Sequence, residues 1–282
     1  MNIWERLSNL DRRVYYVLLI MIVAWPILKP WGLPIRTGRE SQSFYDTIEG
    51  LPQGATIALA IDYRSDCIVE LNPQVATLYK HAWSSKNAKI IMWSMVDEGA
   101  NVTQALVEPL SDELGKTYGV DWINLGYKPG GDVTRKKMID DFWEGAGYAD
   151  IEGRGLENFP IMENFDSVTD ADLLVHISGV VPGSSETFLK IVSIPTGLPM
   201  AVGTTAIQGT SETPYFASGQ YKGFLVGLRG AAEYEFLTQQ PGPAIVGMDA
   251  QSAAHFLVIG LILLGNVGYF ATKKMSKTEG GR

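Results

Sequence analysis

The chain has a single cysteine, Cys67, in 282 residues. One cysteine excludes an intramolecular disulfide and any Cys-x-x-Cys site. A middle region of about 210 residues is large enough to hold a core without one. The sequence also lacks His-Glu-x-x-His, Gly-x-Ser-x-Gly and the phosphate-loop pattern G-x-x-x-x-G-K-[ST], so no recognised metalloprotease, hydrolase or nucleotide signature is present. There is no internal repeat, low-complexity tract or heptad run. Positive charge is scarce in the middle. Between Glu40 and Asp249 there are 13 Lys and Arg against 28 Asp and Glu, a balance of 13 − 28 = −15. Such a surface repels phosphates and argues against nucleic acid as a partner.

What the sequence does have is two apolar runs, one towards each end. The first extends from Val14 to about Leu28 and the second from about Ala253 to Ala271. A bilayer core needs roughly 20 apolar helical residues. The second run meets this. The first meets it if it continues to Leu33 with Lys29 snorkelling. Tyr15, Tyr16, Trp25 and Trp31 fit interfacial aromatic belts. A cleaved signal peptide needs small residues at its cleavage site, and Trp25-Pro26-Ile27-Leu28-Lys29-Pro30-Trp31 offers none. An uncleaved anchor is therefore expected. Seven basic residues lie on the terminal sides of the runs (Arg6, Arg12, Arg13, Lys273, Lys274, Lys277, Arg282), against four on the inner sides (Lys29, Arg36, Arg39, Arg229). The positive-inside rule then places both termini in the cytoplasm and the middle outside the cytoplasmic membrane.

The expected layout is a cytoplasmic N-terminus over 1–13, a transmembrane helix over 14–33 and a linker with a short helix over 34–54. An extracytoplasmic α/β domain over 55–240 follows, then a juxtamembrane turn over 241–250. A transmembrane helix over 251–272, capped by Asp249, and a basic cytoplasmic tail over 273–282 complete it. Within the domain, apolar runs at Ala55–Asp62, Lys89–Met95, Asp121–Tyr127, Asp172–Ser178 and Pro199–Ala206 predict five strands. Helices are predicted from Asn72-Pro73, over Asn101–Tyr118, from Asp132 through Trp143, from Ser184 or Ser185 through Ile194, and over Tyr221–Leu237. Strands alternating with helices imply α/β architecture, here a three-layer Rossmann-like domain with a mostly parallel sheet.

Ligands bind such sheets at the carboxyl ends of the strands. Asp62, Asp97, Lys128, Gly130, Gly131 and Asp132 fall there. The pair Gly130-Gly131 entering a helix is able to present amides to an anion, with Lys128 adding charge. The same residues also make an ordinary tight turn capped by Asp132. Asp62 and Asp66, with Asp97 or Glu98, are candidate cation ligands or simply solvated acids. His176 in mid-strand reads as a satisfied core histidine, and a Cys67–His81 pair rests on sequence proximity alone. In the second apolar run, Gln251 and His255 share a helical face, which fits either an assembly interface or a place at headgroup level, while Asn266 lies deeper and points to helix–helix contact. No cofactor is indicated.

Three stretches carry a resemblance: Leu125 to Gly131 (LGYKPGG), Leu228 to Glu235 (LRGAAEYE) and Gly247 to Ser252 (GMDAQS). Together they resemble an uncharacterised family of prokaryotic membrane proteins with the same anchor–domain–anchor layout. The resemblance brings no activity, ligand or catalytic residue. The function expected is a doubly anchored, non-catalytic α/β subunit of a membrane assembly. Its partners would be the lipid bilayer and other membrane subunits or a second copy. The alternative is a membrane-tethered enzyme, or a receptor for a small anion or metal, using the strand-end edge. An inverted topology would make nucleotides plausible ligands.

Overall fold

The structure, a computed structural model, describes residues 11–180 and 184–279. Residues 1–10, 181–183 and 280–282, which include the outer parts of both expected tails, lie outside them. The chain divides into two units, residues 35–244 and a unit formed by the two terminal segments.

The terminal unit contains helix α1 (Arg12–Leu28), of 17 residues. It stops at Leu28 rather than running to Leu33. Lys29 precedes Pro30 and is driven to extended backbone (φ −140°, ψ 90°), as the residue before a proline must be.

In the central unit, α2 (Arg39–Glu49) precedes β1 (Thr56–Asp62), α3 (Ile68–Lys86), β2 (Lys89–Ser94), α4 (Gly99–Glu113) and β3 (Trp122–Tyr127). Then come α5 (Asp132–Asp140), α6 (Phe142–Ala146), β4 (Leu173–Ser178) and α7 (Ser184–Phe188), which runs on through a π-helical stretch, Leu189–Ser193. β5 (Met200–Thr204), α8 (Ala206–Ala217), β6 (Tyr221–Val226) and α9 (Gly227–Leu237) complete the unit. The second terminal segment is the 37-residue helix α10 (Pro243–Glu279).

All sheet pairings are parallel, in the order β3-β2-β1-β4-β5-β6. The α/β expectation holds, with six strands instead of five. Side chains alternate between the two faces with period two. Ala58 and Ala60 of β1 join one core with Trp93, Phe142, Phe188 and Phe224, under α5 to α8. Ile57, Leu59 and Ile61 join the other with Phe44, Leu78, Tyr79 and Tyr234, under α2, α3, α4 and α9.

Four boundaries are corrected. Residues Tyr221–Leu237 are strand then helix, not one helix. Gly223 lies where α2 crosses β6, and a Cβ there would sit 2.6 Å from the Phe44 Cα. Helix α3 begins at Ile68, so Pro73 is inside it rather than in its first turn. Gly131, not Asp132, is the residue preceding α5, and that helix ends before Trp143. The expected turn over 241–250 is helical from Pro243, so Asp249 is an interior helix residue and no cap.

One helical stretch among the described residues, Pro243–Phe270, is long and apolar enough to cross a membrane. Helix α1 rises about 25 Å at 1.5 Å per residue, short of a 30 Å hydrocarbon core.

Candidate functional site

The strand order reverses between β1 and β4, which is where open α/β sheets form a ligand crevice. Asp62 ends β1 at that point and is 1% exposed. Its Oδ1 accepts the Met95 amide at 2.7 Å and its Oδ2 lies 3.0 Å from His176 Nε2. A carboxylate only accepts, so Nε2–H donates. His176 Nδ1 is 2.9 Å from Ser185 Oγ near the start of α7. Asp, His and Ser thus form a continuous chain beneath the switch point. All three are buried, with Ser185 only 1% exposed. A nucleophile must meet its substrate, and this hydroxyl is enclosed. What the chain does is join β1, β2, β4 and α7 through groups that would be costly to leave unpaired.

Arg135 of α5 is also buried. Its Nη1 donates to Asp132 Oδ1 at 3.0 Å and its guanidinium carbon lies 4.5 Å from the Phe188 ring centroid. Burial pushes its pKa down, opposed by the charges of Asp62 and Asp132. Its Nε has no hydrogen-bond partner among the described residues.

The remaining expected residues are dispersed. Asp97 is exposed and faces Arg64 at 3.8 Å. Glu98 accepts both the Ser65 hydroxyl at 2.6 Å and the Ser65 amide at 3.0 Å, which hold it below the usual carboxylate range. Asp66 turns to the Cys67 thiol, so Asp62 and Asp66 do not converge. No cluster of three metal-binding side chains occurs among the described residues.

Lys128 Nζ donates to the Ala149 carbonyl at 3.2 Å. Burial pulls its pKa down to about 8, with Asp150 opposing. Gly130 and Gly131 take φ of 106° and 55°, conformations that favour glycine. The Val133 and Arg135 amides close onto the Gly130 and Gly131 carbonyls, and Thr134 Oγ1 donates to the Pro129 carbonyl. The Pro129, Gly130 and Gly131 carbonyls are thus all engaged within the loop and the first turn of α5.

Burial, reinforced by Asp66, pushes the Cys67 thiol to about 11. His81 is not beside it. His81 Nδ1 meets Tyr234 Oη, and Nε2 meets Glu49 Oε1, both at 2.8 Å. Ser85 also donates to Glu49, and its hydroxyl with His81 holds that carboxyl down at about 2.

A set of acids outside the expected site does distinctive work. Glu233 Oε2 accepts the Gly38 amide at 2.7 Å, where the chain enters the central unit. Glu235 accepts the Gly242 and Ala244 amides at 3.1 and 3.0 Å, where it leaves. Tyr234, between them, is the partner of His81. In the terminal unit, Asp249 is 2% exposed and accepts three consecutive amides. These are Trp31 at 2.8 Å, Gly32 at 2.9 Å and Leu33 at 3.2 Å. Asp249 thereby ties the segment after α1 to α10. Nothing local announced these pairs, because each carboxylate meets backbone roughly 200 residues distant or across a turn. The expected assembly residues Gln251, His255 and Asn266 are all exposed on α10.

No family model, curated protein or solved structure matches this chain.

Proposed function

We propose that this chain is a doubly membrane-anchored, non-catalytic α/β subunit of a membrane assembly. The observation that carries the proposal is the terminal unit. Both of its helices expose large apolar side chains, among them Ile20, Trp25, Phe256 and Leu263, while the buried carboxylate of Asp249 ties the two segments together. In water that surface would cost about 25 cal/mol per Å². Lipid removes the cost. In this reading the first span comprises α1 and the extended stretch to Leu33, with Trp25 and Trp31 at the interface.

The absence of catalysis is inferred from where the polar groups of the strand ends go. Asp62, Glu98, Asp132 and Lys128 are engaged with the domain's own groups, and Ser185 is enclosed. The exposed Gln251, His255 and Asn266 leave α10 with polar contacts for a neighbouring helix. The charge bias supports an acidic domain outside the cytoplasmic membrane, and its net −15 disfavours self-association in solution.

A second reading, a tethered receptor for a small anion, is favoured by one observation. The Nε of buried Arg135 has no hydrogen-bond partner among the described residues, and its guanidinium is close enough to feel the charge of Asp62 at the switch point. Membrane fractionation followed by detergent extraction and size measurement tests the first reading. The expected result is a chain that pellets with membranes and emerges larger than a monomer. A clean monomer without a companion contradicts the assembly role. A ligand-induced thermal shift abolished by Arg135→Ala would favour the second reading.

A further inference from the structure

Within the terminal unit, α1 and α10 flank an open apolar groove of about 580 Å³. Met21, Ile22 and Trp25 line it from α1, Ala253, Phe256 and Leu257 from α10, and Trp31 from the segment after α1. Both triplets have the spacing i, i+3, i+4 or its reverse, so each is one face of one helical turn. The groove starts one turn beyond Asp249, whose carboxylate fixes Trp31 through its amide. We infer that this groove is a binding site for an anionic phospholipid, with an acyl chain against the two triplets and the phosphate paired with Lys29. The inference rests on the membrane-anchored reading.

Three observations select this occupant over a third helix or a second copy. First, the lining covers one turn of each helix. A helix–helix seam repeats its contacts over several turns, whereas the upper methylenes of an acyl chain need only this length. Second, the groove wall is apolar at α10 and bounded by two tryptophans, whose amphipathic rings sit at headgroup level. Third, the charge is complementary. Lys29 does not line the groove but lies along the chain between its two tryptophans, its amide bonded to the Trp25 carbonyl at 2.9 Å. Its side chain is exposed, and no carboxylate pairs with it among the described residues. Asp249, which binds the chain just after Lys29, is engaged by three amides. Basic residues at a membrane surface attract anionic headgroups in this way.

The test is native mass spectrometry of the full chain. It is reconstituted in nanodiscs of phosphatidylglycerol and phosphatidylcholine with identical acyl chains, then released into mild detergent. The wild type is expected to retain one phosphatidylglycerol. Met21→Trp, at an exposed position, fills the groove without disturbing the buried Ala253 and should abolish retention. Lys29→Gln should keep the groove but lower the preference for phosphatidylglycerol about fivefold. Equal retention of both lipids by wild type and Lys29→Gln overturns the inference. So does retention unchanged in Met21→Trp, or a dimer that Met21→Trp dissociates. Failure of the membrane reading would look different: the chain would remain soluble without detergent. A chain that needs detergent yet retains no lipid refutes the groove site alone.

Discussion

Trp93 and Phe256 are both large apolar residues on regular elements, and they face opposite surroundings. Trp93, on β2, is fully buried beside Phe142 and Phe188. Phe256, on α10, is mostly exposed, as are Leu263 and Phe270 further along. The central unit encloses its own core on both faces of a parallel sheet. The terminal unit has almost none and presents its apolar stripe outward. One unit covers its large apolar side chains itself; on the proposed reading, lipid covers those of the other. The two share one device. Buried carboxylates in both accept backbone amides: Glu233 and Glu235 in the central unit, Asp249 in the terminal one. These three acids hold the chain where it enters and leaves the central unit and after α1, and Glu233 also pairs with Arg229.

That contrast yields measurable consequences. The largest concerns burial itself. Phe224→Ala should destabilise the domain by about 3–5 kcal/mol, read from the urea midpoint of the detergent-solubilised chain. Phe256→Ala should leave that midpoint in place, and an equal loss would break the contrast. Next come the strand-end acids. Asp62→Ala strands the Met95 amide and His176, and should cost about 2–4 kcal/mol in the same assay. Asp97→Ala removes an exposed partner of Arg64 and should cost under about 1 kcal/mol. Asp249→Ala should cost about 2 kcal/mol locally, visible as roughly 30-fold faster hydrogen exchange at the Trp31, Gly32 and Leu33 amides.

Smaller still is the effect of pH. The Glu49 carboxyl is held at about 2, below its usual 4.5. Its contribution is therefore complete above pH 4.5 and lost as pH falls towards 2. Burial lowers the His81 pKa from 6.5, so the unfolded chain takes up that proton first and stability falls as pH drops through 6.5. The two effects share a sign. Stability should decline on acidification below pH 6.5, and His81→Gln should flatten the upper part of the curve. The smallest effect is chemical. Lys128, at about 8, should acylate ahead of ordinary lysines at pH 8, as peptide mapping would reveal.

The five expected strands all exist because each is an unbroken apolar run buried on both faces. β6 is hidden in the sequence because Phe224, Leu225, Leu228, Ala232 and Phe236 fall at helical spacing across a strand and the helix after it. Helix α8 was not anticipated; its 12 residues contain Gly209 and Pro214. Asp62 was legible as a strand-end acid. Its partners Met95 and His176 were not, since they lie 33 and 114 residues away and only the β2-β1-β4 order brings them together. In the sequence Asp249 has the place of a cap, because Gln240-Pro241-Gly242-Pro243 has the composition of a turn. Proline is well tolerated in a first helical turn, so the helix starts there and Asp249 is carried inside.

The most direct test of the account is thiol accessibility in intact expressing cells, with Cys67 replaced by Ser. Cysteines are placed one at a time at the exposed positions Asp97, in the domain, and Arg12, at the N-terminal end of α1. The account predicts that a membrane-impermeant maleimide labels Asp97→Cys at once and Arg12→Cys only after permeabilisation. Labelling in the reverse order, or recovery of either protein in the soluble fraction, would contradict it.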